Sequence, residues 1–223
     1  MKILLFGATG MVGQGVLREC LLDPGVESVL AVGRTGTGAH HPKLQEIVRQ
    51  DLSNYSDVAA DLTGFNACFF CLGVTSAGMT EEAYERITFG LTIAAATALC
   101  QWNPQMTFIY VSGAGTDSSE RGRTMWARVK GKTENALLRL TFAGAYMFRP
   151  GVIEPLHGIK SKTASYRLMY LFMKPLLPLL RFAFPNHVLT TEQIGRAMLS
   201  VARNGYDKRI LESRDIRAAS IRQ

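Results

Sequence analysis

The chain has 223 residues, of which 47% are hydrophobic and 19% charged, and its formal net charge is +7. This composition excludes an intrinsically disordered chain and suits one globular domain. The positive residues are scattered, without a run of five Lys or Arg, so nucleic acid is not an expected partner. We expect a single domain, with a cofactor-binding core over 1–151 and a substrate or lid region over 152–223.

Short apolar runs alternate with helical patterns. Six strands are predicted, at 2–6, 28–33, 46–50, 66–73, 106–113 and 145–151, with helices at 11–22, 80–101 and 124–141. A later segment, TTEQIGRAMLSVA, predicts a helix capped by Thr190 or Thr191. Strands alternating with helices imply βαβ units. The predicted fold is α/β: a doubly wound, mainly parallel Rossmann sheet with a small C-terminal substrate region.

The stretch YRLMYLFMKPLLPLLRFAF (166–184) is basic and apolar. A cap over a substrate pocket or a homodimer contact is the preferred interpretation. The alternative is contact with an anionic membrane surface, because Arg167, Lys174 and Arg181 recur every seven residues and could share one side. A hydrophobic lid would indicate an apolar small-molecule substrate.

The four cysteines favour neither a metal site nor a redox pair. Cys68 and Cys71 form CFFC within a predicted strand, where a three-residue offset directs the two thiols to opposite faces. No second CxxC or Cys/His pair accompanies them, so no metal is expected. Free thiols are typical of a reducing compartment, and we expect a cytoplasmic location.

The stretch GATGMVG follows the first strand and opens a helix, with glycines at 7, 10 and 13. Glycines allow a tight turn and close approach to a pyrophosphate, and a helix N-terminus supplies free N–H groups. This context predicts a dinucleotide-binding loop rather than a plain turn. The predicted cofactor-binding residues of the loop are Gly7, Thr9, Gly10, Met11, Val12 and Gly13.

The second predicted strand ends at Gly33-Arg34. NAD-binding sheets usually place an acidic residue there, whereas an Arg suits a 2′-phosphate. Arg34 therefore favours NADP (NADPH), unless it is a solvated surface residue. Asp51 is placed either to meet the adenine edge or to cap the segment 53–62. Three further residues at the strand ends complete the predicted wall, namely Leu52, Leu72 and Gly73.

The stretches GATGMVG, VGR, QDL, CLGVT, VSGAG, VKGKTE and FRPGV occur in this order. In them the chain resembles an atypical short-chain dehydrogenase/reductase of the Tat-interacting-protein-like and NmrA-like branch, well over 1–155 and more thinly beyond. The resemblance implies that Ser112 polarises a substrate carbonyl and that Lys130 holds the nicotinamide ribose. It also implies that Pro150 and Gly151 line the nicotinamide pocket.

The same resemblance implies a catalytic Tyr at position 126, where this chain has Trp126. An indole N–H is a donor that cannot practically release its proton, and general acid catalysis is worth about 10²–10⁴ in rate. Tyr84 and Tyr166 are alternative acids without a supporting motif. Trp126 itself could be packing, on one helix face with Lys130.

Three functions follow. The first is an NADP(H)-dependent oxidoreductase reducing a small apolar carbonyl or quinone-like compound. The second is a non-catalytic NADP(H)-binding redox sensor that acts through a protein partner. The third, weaker hypothesis is an assembly factor at a membrane surface.

Overall fold

Seven parallel strands form the central sheet of the computed structural model, which describes residues 1–159 and 187–222. The sheet order is β3-β2-β1-β4-β5-β6-β9, and β7 and β8 pair in a second, two-stranded parallel sheet. The strands are β1 (Lys2–Phe6), β2 (Ser28–Gly33), β3 (Leu44–Val48), β4 (Ala67–Phe70), β5 (Thr107–Val111), β6 (Gly144–Arg149), β7 (Val152–Glu154), β8 (Val188–Thr190) and β9 (Ile210–Glu212). The order reverses between β1 and β4, where doubly wound sheets bind their ligands. The predicted fold class is confirmed.

Helices cover both faces of this sheet. They are α1 (Met11–Leu22), α2 (Glu81–Glu85), α3 (Leu91–Trp102), α4 (Met125–Leu138), α5 (Thr191–Asn204) and α6 (Ser213–Ala219), with a 3-10 helix at Ser56–Val58 and a π-helix at Arg86–Gly90. Helices α1, α5 and α6 contribute to the core on one face, and α3 and α4 to the core on the other. Among the described residues, no helix combines the length and apolar character that crossing a bilayer requires.

Alternate side chains of each strand enter the two cores. Cys68 lies in the core that α3 and α4 cover, whereas Cys71 packs against the opposite one. This confirms that the two thiols of CFFC point to opposite faces. Burial raises the pKa values of both thiols, so neither is a nucleophile at neutral pH.

The predicted and observed elements differ mainly at their ends. The third strand was expected at 46–50 but begins earlier, at Leu44, and the long helical pattern at 80–101 is divided by the π-helix. Strands β7, β8 and β9 were not predicted, because a three-residue strand carries too little periodicity to be recognised. The helix start was predicted well, since the Thr190 hydroxyl accepts from the Gln193 N–H in a capping box. The basic apolar stretch 166–184 lies outside the described residues.

Candidate cofactor and active site

The glycine loop joins β1 to α1 through a turn that only small residues permit. Gly7 has a φ of +77°, and a Cβ there would lie 2.6 Å from the Leu72 nitrogen. A Cβ on Gly13 would lie 2.1 Å from the Gly7 carbonyl oxygen, because α1 packs directly against the loop. Helix α1 has no acidic residue in its first turn and no side-chain cap. Its N-terminal N–H groups are therefore arranged as an anion would require.

A cavity of about 580 Å³ opens above this loop, within the range of ligand sites. Eight predicted cofactor-binding residues line it, namely Gly7, Thr9, Gly10, Met11, Val12, Arg34, Leu72 and Gly73. No atom lies within 4 Å of the position of a Cβ on Gly73, so this glycine leaves open space at the cavity wall. The loop, the cavity and this open wall fit a dinucleotide.

The loop after β2 forms another part of the wall. Arg34 and Thr35 both line the cavity. The Gln50 side chain donates to the Arg34 carbonyl oxygen at 3.3 Å. Within residues 1–159 and 187–222, no ion pair or hydrogen bond engages the Arg34 guanidinium, which leaves its donors available to a ligand.

Sequence reasoning missed one charged residue of this cavity. Glu46 on β3 lines the wall and accepts from the Thr37 N–H at 2.7 Å. The third strand had been expected to begin at Glu46, with its side chain unassigned. The local sequence LQEIV does not alternate polar and apolar residues, so it carries no signal for the direction of this side chain.

Asp51 and Leu52 lie apart from the described cavity lining. The Asp51 carboxylate accepts from the Ser53 N–H at 2.8 Å and from the Ser53 hydroxyl at 2.6 Å, which is the local capping interaction. These bonds lower the pKa of Asp51. Leu52 is 3% exposed and belongs to the core beneath α3 and α4. Gln50 lines the cavity in their place.

The predicted catalytic pair lies at the end of β5. Helix α4 places Lys130 so that its Nζ donates to the Ser112 carbonyl oxygen. The same Nζ lies 5.9 Å from the centre of the Tyr110 ring. Desolvation lowers the pKa of Lys130 to about 8, against a smaller opposing effect of Glu134. A half-buried ammonium group that titrates near neutral pH can hold or release a proton.

The Ser112 hydroxyl faces inward. It donates to the buried Glu134 carboxylate and lies 3.1 Å from the Phe148 carbonyl oxygen. Polarising a substrate carbonyl would require this hydroxyl to leave Glu134, so that role stays a prediction.

An ion pair that was not predicted lies next to the predicted catalytic pair, on the inner side of Ser112. Glu134 is fully buried on α4, and its carboxylate binds the Arg149 guanidinium. Arg149 also donates to the Ser118 hydroxyl at 2.6 Å and to Glu212 at 3.3 Å. An Arg within an otherwise apolar strand was the sequence signal for a buried partner.

Trp126 is half-buried on α4, one turn before Lys130. A Cβ on Gly115 would lie 3.6 Å from the Trp126 ring, so the indole packs over this loop. Tyr84, proposed above as an alternative acid, is 2% exposed and therefore closed to a substrate. Tyr166 lies outside the described residues.

Pro150 and Gly151 follow β6 beside the second sheet. The Pro150 carbonyl oxygen accepts from the Ala114 N–H at 2.9 Å, and the Gly151 N–H donates to the Ser213 hydroxyl at 2.8 Å. A Cβ on Gly151 would lie 2.9 Å from the His187 carbonyl oxygen. These contacts explain the glycine structurally, and its contact with a nicotinamide ring stays a prediction.

The sheet order, glycine loop and cavity together define a dinucleotide-binding Rossmann domain. The chain belongs to the NAD(P)H-binding family, whose model matches residues 7–139. The predicted membership among NAD(P)-binding Rossmann proteins is thereby confirmed.

Solved structures share this fold. The WbmF enzyme of Bordetella bronchiseptica, in complex with NAD⁺, superposes with a TM-score of 0.68 at 12% identity, covering 97% of this chain and 76% of that one. The oxidoreductase ylbE from Lactococcus lactis gives a TM-score of 0.57 at 17% identity, covering 69% and 70%.

Curated relatives carry the name FMP52. The Meyerozyma guilliermondii protein is 24% identical over 91% of this chain and 85% of its own length. The Aspergillus terreus fmp52-2 protein is 30% identical over 67% of this chain and 66% of its own length. Both are named mitochondrial, and the expected cytoplasmic location is therefore wrong. The error arose because free thiols indicate a reducing environment without identifying the compartment.

Proposed function

We propose that the protein is an NADP(H)-dependent oxidoreductase that reduces a small, apolar carbonyl or quinone-like compound. The observation that carries this proposal is the position of Lys130. Its ammonium group lies at the carboxyl end of β5, at the same sheet edge as the glycine loop, and it has a pKa of about 8. Ligands of open α/β sheets bind at this edge.

The preference for NADP(H) rests on Arg34. Its guanidinium belongs to the cavity wall, where a 2′-phosphate could accept charge-assisted hydrogen bonds from it. The glycine loop and the N-terminus of α1 would hold the pyrophosphate, and Gly73 would leave room beside it.

The bound nucleotide would supply the hydride. Lys130 would hold a proton at Nζ and donate it to the oxygen that gains negative charge, then recover a proton from water. The Trp126 indole cannot donate that proton, but its half-buried ring favours an apolar substrate nearby. Quinones and conjugated alkenes suit this arrangement, since they depend less on a tyrosine acid.

Titration of the purified protein with NADPH and NADH, followed by fluorescence, tests cofactor use. We expect micromolar NADPH binding and weaker NADH binding, with Arg34→Ala lowering the NADPH affinity by about 10–100-fold, equivalent to about one charged hydrogen bond. Oxidation of NADPH with quinones, enones and aldehydes then tests turnover. Tight binding without oxidation of NADPH by any acceptor would contradict the enzymatic proposal.

A further inference from the structure

The cavity wall formed by β2, β3 and the loop between them carries two opposite charges. Among the described lining residues, Arg34 is the cation and Glu46 the anion. Glu46 is exposed and pairs in register with Ala31 of β2, one strand away from the loop that bears Arg34. A negatively charged ligand group in this part of the cavity would meet both charges.

Glu46 also holds the loop in place. One carboxylate oxygen accepts from the Thr37 N–H at 2.7 Å, and the other would lie 3.3 Å from a Cβ on Gly36. At the other end of the loop, the Arg49 N–H donates to the Gly33 carbonyl oxygen at 2.9 Å. The loop from 33 to 37 is thus held at one end by Glu46 of β3 and at the other by Arg49, just after β3. The contact with Glu46 is made by a charged carboxylate.

We infer that Glu46 is a second determinant of nucleotide selectivity and restrains the preference for a 2′-phosphate that Arg34 creates. The inference rests on the proposed use of NADP(H). A carboxylate repels a phosphate group but not a ribose hydroxyl, so its charge lowers the affinity for NADPH and leaves NADH binding nearly unchanged. Arg34 alone would therefore give a stronger discrimination than Arg34 and Glu46 give together.

Two substitutions separate the charge of Glu46 from its hydrogen bond. Glu46→Gln keeps an oxygen that can accept from the Thr37 N–H and removes the charge. We expect it to raise NADPH affinity by about three- to tenfold, without a matching change for NADH. Glu46→Ala also removes the hydrogen bond to the Thr37 N–H, so the loop becomes more mobile. We expect its NADPH affinity to rise less than that of Glu46→Gln, because binding must then order the loop.

Glu27→Gln is the matched control, because it removes the same charge just before β2, at the opposite end of the strand. Each variant is titrated with NADPH and NADH at low and at high salt. The change in selectivity for Glu46→Gln is expected to shrink at high salt, as a purely structural effect would not.

An unchanged NADPH-to-NADH ratio in Glu46→Gln, or an equal change in Glu27→Gln, would overturn the inference while leaving the proposed function intact. Wild-type protein that binds neither nucleotide would overturn both. Wild-type protein with an Arg34-dependent preference for NADPH, widened by Glu46→Gln, would support both.

Discussion

The two halves of the candidate site are built in different ways. Around β1, β2 and β3, backbone groups and small residues surround an open cavity, and no described residue pairs with the Arg34 guanidinium. Around β5, α4 and β6, the polar side chains turn inward, with Ser112 and Arg149 both bound to the buried Glu134. Cofactor binding would thus depend on local backbone shape, whereas the proposed chemistry would depend on the long-range polar network beside Lys130.

Among the substitutions that test this contrast, Lys130→Met has the largest expected effect. It removes the proposed proton source, and general acid catalysis is worth about 10²–10⁴ in rate, so turnover should fall by that factor. The cavity half should still bind NADPH. The loss of turnover should appear in kcat, measured with any acceptor that the wild type reduces. Lys132→Met on the same helix is the control and should retain activity, because Lys132 pairs with Glu85.

The pH dependence of kcat in the wild type also tests Lys130 as the acid, because the direction of the change is predicted. An acid catalyst must be protonated, and the Lys130 pKa is lowered to about 8, so kcat should be constant at lower pH and decline as pH rises through about 8. The residual activity of Lys130→Met should lack this decline. A decline that persists would assign the proton to another group.

Glu134→Ala tests whether the inward network supports the fold. Removing one partner of a buried ion pair typically costs about 3–5 kcal/mol in the free energy of unfolding, and here it leaves Arg149 with only the exposed carboxylate of Glu212 as a counter-charge. Denaturant titration measures this loss. Glu212→Ala, which removes the exposed partner of the same Arg and the side-chain cap of α6, should cost only about 1 kcal/mol.

Adding Arg149→Met to Glu134→Ala should recover part of the stability, because the buried charge is then gone. No recovery would mean that cavity formation dominates the loss.

Trp126→Tyr tests whether position 126 still faces the reacting atoms beside Lys130. A phenol one turn before Lys130 would add an acid beside the ammonium group, and we expect carbonyl reduction to rise by about 10²-fold. Trp126→Phe removes the indole without adding an acid and should show no gain. Equal rates in the two variants would show that position 126 no longer faces the reacting atoms.

The sequence predicts the binding half better than the chemical half, for a physical reason. The glycine loop is a local pattern, because the spacing of Gly7, Gly10 and Gly13 already specifies a turn from strand to helix. Glu134 and Arg149 stood in the quoted stretches VKGKTE and FRPGV, but their pairing depends on how α4 packs against β6. Side-chain direction in tertiary structure is not encoded in such local spacing.

Glu46 shows the same limit within the binding half. Shifting the start of the third strand from residue 46 to Leu44 changes which residues the sheet positions against the loop after β2. The lack of an acid at the end of β2 could be read directly, whereas an acid supplied by the neighbouring strand required the observed register.

Gly13→Ala should have the smallest effect, and it tests the local half directly. A Cβ there would lie 2.1 Å from the Gly7 carbonyl oxygen, so loop and helix must separate at a cost of about 1–3 kcal/mol, with weaker NADPH binding. Gly73→Ala is the matched control, because its Cβ would meet no atom within 4 Å. Its stability should match that of wild type while its NADPH affinity falls, since the methyl group would occupy space left for the ligand. Equal stability losses in the two variants, measured by thermal unfolding, would show that close packing does not explain the glycine at position 13.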